Sequence, residues 1–348
     1  RRRRAGQPRC GEAGGNDFLG EAGRTTIDQS TAGAWKRVRF EGIYENPVVV
    51  AKPLEYPVED DEPAYPRIRN VQSGSFEVRV DEWDTPSSGQ DGIHSPPVNV
   101  TYLVFEEGTH ELRNGSVVDV GTTTLSGGSY RTVQYNQSFT SGTPVVFSQS
   151  QTVNDPTDVV VRQESVDQNG FDVKFQEDDG GSQGGHGVET VGYIAIEQNQ
   201  SVNAGARWET GTTADGVVSG VQDYSFDPTQ FYQIPFSQPF TQPPAFVAQM
   251  QTENGGDTAY GRYGTLNATD ARVAIDETPA DGERSHGGTE TVGYFAIERF
   301  GPIYENGTTT STPSAPIIDG FNDGNINEYT GKTGKYNLVT SPAVEGAY

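Results

Sequence analysis

The segment GVETVGYIAIE at Gly187–Glu197 returns as GTETVGYFAIE at Gly288–Glu298, and this pair decides how the chain is interpreted. Apolar residues alternate within both segments, as they do in a β-strand with one buried face. A weaker version, VNVTYLVFE, stands at Val98–Glu106. The sequence therefore predicts three copies of one structural unit, of which the first has diverged.

Further repeated features lie upstream of these segments. An acid-x-Gly-x-Thr signature opens each unit, and its copies lie 98 and 90 residues apart. A Pro-led hydrophobic strand and an alternating strand follow it each time, in unchanged order. The signatures are Glu21-Ala-Gly-Arg-Thr25, Asp119-Val-Gly-Thr-Thr123 and Glu209-Thr-Gly-Thr-Thr213, and the Pro-led strands start at Pro47, Pro144 and Pro244.

Short strands, Gly/Asp/Asn turns and the lack of helical periodicity predict an all-β fold of tandem small antiparallel β-sandwiches. The last 32 residues cannot bury a core of their own. We therefore expect the chain to end inside a further domain. The predicted boundaries are an N-terminal arm at 1–19, sandwiches at 20–106, 117–198 and 207–301, a Thr/Ser/Pro linker at 302–316, and the start of the further domain at 317–348.

The charge balance excludes several classes of function. The 348 residues include 48 acidic and 24 basic side chains, for a formal net charge of −24, so an electrostatic nucleic-acid binder is not expected. Few of the basic residues are Lys, and an acidic, Lys-poor chain is typical of proteins that work in molar salt, where charges are screened within a few Å. We expect a halophilic source. No stretch approaches the roughly 20 apolar residues of a membrane span.

Taken together, the acid-x-Gly strand, the Pro-Val-Val strand, an Arg-bearing middle strand, a Gly-Phe-x-Val strand and a final aromatic-x-Ala strand resemble the H-type lectin domain. The resemblance covers about 270 of the 348 residues. It implies a six-stranded antiparallel sandwich that associates in threes and binds N-acetylgalactosamine-like sugars in a groove between neighbouring subunits. The segment Ile318–Asn325 resembles the opening of a laminin-G or concanavalin-like jelly roll.

The resemblance also implies a carbohydrate-binding set of an acidic residue, an Arg, a His and an aromatic residue. In the second copy these are Asp155 or Asp158, Arg162, His186 and Tyr193; in the third they are Asp257, Arg262, His286 and Tyr294. The first copy offers Arg67 or Arg69 with His94 and Tyr102, but its Glu55–Pro66 loop departs from the others. The family usually carries Trp where this chain has Tyr193 and Tyr294.

The residues themselves leave other roles open. Each repeated His could anchor a Gly-rich turn by hydrogen bonding, contact a sugar or ligate a metal. Each Tyr could pack in a core or an interface instead of stacking on a sugar, and each Arg could pair with a carboxylate instead of recognising a hydroxyl. Along the last strand, Val191, Tyr193 and Ala195 share one face while Gly192, Ile194 and Ile196 share the other, and either face could be the core.

Short motifs bear on glycosylation, cofactors and catalysis. Asn-x-Ser/Thr sequons predict glycosylation at Asn99, Asn114, Asn136, Asn199, Asn267 and Asn306. No cofactor is predicted, with Ca²⁺ left open at the acidic loops Asp178–Gly181 and Asp319–Asn325. The sequence has no Gly-x-Ser-x-Gly elbow, phosphate-binding loop, zinc-ligand spacing or Cys nucleophile, so we do not expect the protein to be an enzyme.

The sequence thus predicts an extracellular, non-catalytic adhesion protein that binds surface glycans, either a cell-surface adhesin or the tail fibre or spike of a virus of a halophilic archaeon. The alternative is a structural subunit of a filament or virion appendage, trimeric through its sandwiches and without sugar. A third reading is the non-catalytic part of a polysaccharide-degrading enzyme. Three sandwiches in one chain allow an intramolecular pseudo-trimer or a homotrimer of three parallel chains. An open groove at Arg162 and Arg262 would favour the glycan-binding protein, whereas a closed interface there would favour the structural subunit.

Overall fold

The computed structural model describes residues 18–57, 63–83, 92–111, 116–177, 185–198, 200–203, 206–214, 216, 218, 227–278 and 286–304. All of them belong to one compact unit, Arg1–Thr309. These residues form strands and turns and no helix, which confirms the all-β prediction. The predicted domain at 317–348 and all but the last two residues of the arm lie outside the described residues.

Each sequence repeat supplies six strands. Repeat 1 contains β1 (Phe18–Gln29), β2 (Lys36–Arg39), β3 (Pro47–Glu55), β4 (Ala64–Gln72), β5 (Ser75–Glu82) and β6 (His94–Glu106), and is followed by β7 (Gly108–Glu111). Repeat 2 contains β8 (Val117–Leu125), β9 (Arg131–Gln134), β10 (Val145–Ser150), β11 (Val159–Glu164), β12 (Gly170–Glu177) and β13 (Glu189–Ile196), and is followed by β14 (Gln200–Asn203). Repeat 3 contains β15 (Ala206–Thr212), β16 (Tyr232–Pro235), β17 (Ala245–Met250), β18 (Ala259–Leu266), β19 (Asp270–Glu277) and β20 (Val292–Ile297), and is followed by β21 (Gly301–Tyr304).

The six strands of a repeat form two antiparallel sheets that pack face to face. The inner sheet joins the third, sixth and first strands of the repeat, as β10-β13-β8 shows. The outer sheet joins the fourth, fifth and second strands, as β11-β12-β9 shows. Phe171 and Phe175 of the outer sheet pack with Tyr193 of the inner sheet in the core of repeat 2.

The inner sheets are buried on both faces. Along β13, Val191, Tyr193 and Ala195 lie in the core of repeat 2, while Ile194 and Ile196 lie in a second core. The sequence left open which face is the core, and the structure shows that both are. For the same reason β10 and β17 are buried at every position, although isolated alternating strands would expose one face.

This second core, which we call the central core, is shared by all three repeats. Its side chains come from the face of each inner sheet that points away from its own outer sheet. Burying one such side chain is worth about 1.5–3 kcal/mol. The central core consists of Leu19, Ala22, Val48, Val50, Leu103, Phe105, Val118, Val120, Val145, Phe147, Ile194, Ile196, Trp208, Ala245, Val247, Phe295 and Ile297.

The strands between the repeats close the assembly into a ring. After repeat 1, β7 pairs with the first strand of repeat 2, and after repeat 2, β14 pairs with the first strand of repeat 3. After repeat 3, β21 pairs with β1, with Ala22 opposite Gly301 and Phe18 opposite Tyr304. Residues 302–304, predicted to open a linker, are therefore part of a sheet. The three repeats form an intramolecular pseudo-trimer, one of the two arrangements that the sequence allowed.

Two of the three junctions use glutamine side chains as substitutes for a neighbouring strand. Gln151 of repeat 2 accepts from the Val49 amide at 2.9 Å and donates to the Val49 carbonyl at 2.8 Å. Gln251 of repeat 3 makes the same pair of bonds with Val146, at 3.0 and 2.9 Å. Gln149 and Gln249 each accept one further backbone amide, from Ala51 and Ser148 respectively, at 2.7 Å.

The junction between repeats 3 and 1 is built differently. Repeat 1 carries Lys52 and Leu54 where the other repeats carry these glutamines. Here β18 pairs directly with β3 in parallel, with Arg262 opposite Leu54. The inner sheet of repeat 1 and the outer sheet of repeat 3 consequently merge, with β21, into one seven-stranded sheet.

We expect Gly192→Ala to destabilise the ring. A Cβ at Gly192 would lie 2.6 Å from Val48 Cγ1 and 2.9 Å from Gln151 Cδ, both at the junction of repeats 1 and 2. Overpacking of this kind costs about 1–3 kcal/mol. Denaturant unfolding in molar salt measures the change. The matched control is Gly287→Ala, whose Cβ would meet no atom within 4 Å; equal stability of the two variants would contradict this packing.

Candidate functional site

The acid-x-Gly signature holds the last-strand tyrosine of each repeat. The Tyr193 hydroxyl donates to Asp119 at 2.9 Å. A Cβ at Gly121 would lie 2.7 Å from that hydroxyl oxygen, so only glycine lets the ring cross the first strand. Repeats 1 and 3 repeat the bond, from Tyr102 to Glu21 at 3.2 Å and from Tyr294 to Glu209 at 3.3 Å.

The same carboxylates also fix the loop that follows the first strand. Glu21 accepts from the amides of Glu41 and Gly42 at 2.8 and 2.9 Å, and Asp119 accepts from the Asn136 amide at 3.0 Å. Burial raises the pKa of Glu21 to about 7 against these hydrogen bonds. Tyr193 is only 3% exposed, and burial next to Asp119 raises the pKa of its hydroxyl. The structure thus places this predicted sugar contact inside a core.

The repeated arginines cross from one repeat to the next in one cyclic order. Arg67 of repeat 1 donates to the carbonyls of Asp155 and Pro156 at 2.7 and 3.2 Å. Arg162 of repeat 2 donates to the carbonyls of Thr252 and Asp257 at 3.5 and 3.4 Å, and Arg262 of repeat 3 donates to those of Glu55 and Ala64 at 3.0 and 3.2 Å. Their exposed fractions are 3%, 1% and 0%.

Each arginine also has a buried or nearly buried carboxylate beside it. Arg67 pairs with Asp81 at 3.2 Å and Arg262 with Asp276 at 3.4 Å, both within their own repeats. Arg162 instead pairs with Glu290 of the next repeat at 3.3 Å. The guanidinium groups therefore lie in closed interfaces between repeats, with their charges paired.

The repeated histidines pair with a glutamate at the end of the fifth strand. His94 Nδ1 lies 3.0 Å from Glu82, His186 Nδ1 lies 3.2 Å from Glu177, and His286 Nδ1 contacts Glu277. Burial opposes protonation of His286, but hydrogen bonds to Glu277 and Glu290 outweigh it and raise its pKa. Within the described part of the chain, no three His, Cys, Asp or Glu side chains are grouped as a metal site would require.

Two glutamates link these histidines to the loops that receive the arginines. Glu290 accepts from His286 Nε2 at 2.9 Å and from the Asn254 amide at 2.8 Å, besides its pair with Arg162. Glu189 accepts from the Asn154 amide at 2.6 Å. Each loop is thus fixed by a carboxylate of its own repeat and clamped by an arginine of the preceding one.

The acidic residues predicted for sugar binding fall on the far side of a junction from their expected arginine. Asp155 accepts from the Thr157 and Gly187 amides at 3.0 and 2.8 Å, bonds that lower its pKa to about 2. Asp158 lies 3.8 Å from Arg67 of repeat 1, and the Asp257 carbonyl meets Arg162 of repeat 2. The sequence grouped these residues by repeat, whereas the structure groups them across repeats.

An open groove of about 510 Å³ lies between repeats 1 and 2. Its lining is mostly amide and hydroxyl side chains together with one cation, Arg69. The Arg69 guanidinium stacks 4.1 Å above the Trp35 ring and pairs with Glu77 at 3.1 Å. The groove is lined by Pro47, Arg69, Asn70, Val71, Gln72, Thr122, Gln151, Thr152, Val153, Asn154 and Thr190.

The sequence carries two signals of the junctions that the predictions above do not use. The repeated Gln149-Ser-Gln151 and Gln249-Met-Gln251 follow the Pro-led strand at the same place and were a usable signal. Gly192 and Gly293, inside the strongest repeat, were another.

The predicted glycosylation sites differ in setting. Asn136 and Asn267 are exposed, whereas Asn99 is half-buried and donates to Glu55. Asn114, Asn199 and Asn306 lie outside the described residues, as do both acidic loops considered for Ca²⁺.

Comparison with known proteins finds similarity to a very long protein. The chain is 41% identical over 279 residues to halomucin of Haloquadratum walsbyi, which covers 78% of this chain. It spans only about 3% of that relative's length. No protein-family model matches the chain, and no solved structure does.

The described residues contain no helix that is long and apolar enough to cross a bilayer.

We expect Arg162→Ala to lower the free energy of unfolding by about 3–5 kcal/mol, because it leaves buried Glu290 without its cationic partner. Thermal and denaturant unfolding in molar salt measure the loss. Arg131→Ala is the control, since the exposed Arg131 makes one bond to the Thr124 carbonyl and its loss should stay within about 0.5 kcal/mol. A stable Arg162→Ala protein would contradict the clamp.

Proposed function

We propose that this chain is a module of a non-catalytic cell-surface protein of a halophilic archaeon, and that the closed three-repeat ring acts as a preassembled structural and adhesive unit. The lectin-like resemblance of its repeats belongs to the same proposal. The ring presents three similar repeats on one surface, as a trimer would, within a single chain.

The arginine clamps carry this proposal. Arg67, Arg162 and Arg262 occupy matching positions, and each binds backbone carbonyls in or next to one loop of the following repeat. The polar residues that recur in all repeats therefore serve the assembly. This supports a structural unit, since a catalytic group must reach a substrate from its position.

The proposed surroundings follow from charge and similarity. A chain of net charge −24 is suited to molar salt, where self-repulsion is screened. The similarity to halomucin supports a mucin-like surface protein, and its source, Haloquadratum walsbyi, favours a cell over a virus. Exposed Asn136 and Asn267 would carry glycans on such a surface.

Surface labelling tests this location. Antibodies raised against the chain should label intact cells of the source organism, with antibodies against a cytoplasmic protein as control. Labelling that requires lysis of the cells would contradict the proposal.

The groove between repeats 1 and 2 favours glycan binding as a second function. The H-type lectin resemblance implies a sugar between neighbouring subunits, and this groove lies between neighbouring repeats. Its amide and hydroxyl side chains, with Arg69, are suited to recognising sugar hydroxyl groups. Stacking on Trp35 and pairing with Glu77 hold the guanidinium in place.

A glycan array in molar salt tests this second function with the full chain. Arg69→Ala should weaken binding at least tenfold. Arg37→Ala is the matched control, because Arg37 pairs with the same Glu77 at 3.0 Å but does not line the groove. Binding to no glycan, or equal loss in both variants, would exclude the groove as the sugar site.

A further inference from the structure

A small cavity lies where the outer-sheet strands of the three repeats meet. Its volume is about 60 Å³, enough for a guest the size of a water molecule. Repeat 1 contributes β4, repeat 2 contributes β11 and repeat 3 contributes β18, so the cavity sits among all three repeats. None of the lining side chains is acidic, although the chain as a whole carries 48 acidic residues.

Two cationic side chains line this cavity. Lys52 Nζ donates to the Ser148 carbonyl at 2.6 Å, and no described carboxylate pairs with it. Arg67 is 3% exposed, and its Nε has no hydrogen-bond partner among the described residues. The other Arg67 nitrogens bind Asp81 and the loop carbonyls of repeat 2. Among the described residues, Lys52 thus has no carboxylate partner, and Arg67 has an unused donor.

The third lining donor is Tyr65. Its hydroxyl oxygen accepts from the Val159 amide at 3.1 Å, which leaves its proton for another acceptor. The neighbouring glutamines are already engaged, because Gln149 donates to the Pro66 carbonyl at 2.9 Å and Gln249 donates to Ser148 at 3.2 Å. The groups left to bind a guest, Lys52, Arg67 and Tyr65, are therefore hydrogen-bond donors. A ligand in this cavity should be a hydrogen-bond acceptor.

Lys52 is half-buried, and an ammonium that is withdrawn from water is stabilised by a counter-charge. Desolvation lowers the pKa of Lys52 to about 7, so its charged form lacks full compensation from the described residues. A small anion in the cavity would supply the missing charge. Repeats 2 and 3 avoid the problem, because they carry the neutral Gln149 and Gln249 at this position.

We propose that the cavity binds a chloride ion, held by Lys52 Nζ, Arg67 Nε and the Tyr65 hydroxyl. Chloride is a single sphere not much larger than water and makes no directional demand on its donors. In molar salt even weak affinity fills such a site, and a ligand bound only by the folded state stabilises it in proportion to RT ln(1 + [L]/Kd). The ion would join the repeats at the point where repeat 1 departs from the glutamine pattern.

Crystals of the full chain grown or soaked in sodium bromide provide the direct test. Bromide scatters anomalously, so the proposal expects a peak within hydrogen-bonding distance of Lys52 Nζ. The peak should be absent from Lys52→Gln, the variant that gives repeat 1 the residue of the other repeats. An ordered cavity without a bromide peak in the wild-type protein would overturn the proposal, as would an equal peak in Lys52→Gln.

Thermal unfolding provides a second readout that needs no crystals. Gluconate is too large for the cavity. When it replaces chloride at constant sodium concentration, the Tm of the wild-type protein should fall, and this fall should exceed that of Lys52→Gln by at least about 3 °C. Lys52→Met serves if the Gln variant fails to fold. Identical anion dependence in wild type and variant would contradict a chloride site at Lys52.

Discussion

The central core is the constraint on which the rest of this structure depends. Each inner sheet has one apolar face that its own sandwich covers and a second that it cannot cover. Exposing Ile194, Phe147 and their counterparts to water would forfeit the burial energy of every one of them. The three repeats satisfy this requirement together, and the strand β21 closes the ring by pairing with β1.

This demand explains where the recurring polar residues lie. A junction that excludes water must provide hydrogen bonds for each backbone group and charge that it covers. The glutamines bond the otherwise unpaired edge of the preceding inner sheet, and the arginines bind backbone carbonyls in or next to a loop of the following repeat. In repeats 2 and 3, Glu189 and Glu290 then hold those loops in the shape that the arginines bind. The arginines of a motif that resembles a binding site in sequence lie in the junctions between repeats.

Repeat 1 differs from the others in a connected set of features. Its inner strand lacks the glutamines, its last strand has Thr101 where the others have Gly192 and Gly293, and its junction with repeat 3 uses direct strand pairing. A three-chain trimer would impose the same junction three times, whereas a single chain can vary each one. That freedom allows Lys52 to stand where the other repeats have an uncharged side chain.

The sequence by itself determined the strands, the repeat and the salt-adapted surface, because alternation, spacing and charge are local properties that a sequence displays directly. It also identified Arg162, His186, Tyr193 and their partners as a recurring set. Only the tertiary structure decided that both faces of β13 are buried. It also decided that Arg162 binds the Asp257 carbonyl and the Glu290 carboxylate of the next repeat instead of an acid of its own repeat. Those outcomes depend on which repeat packs against which, and similar repeats give no sequence signal that distinguishes a contact within one copy from a contact between copies.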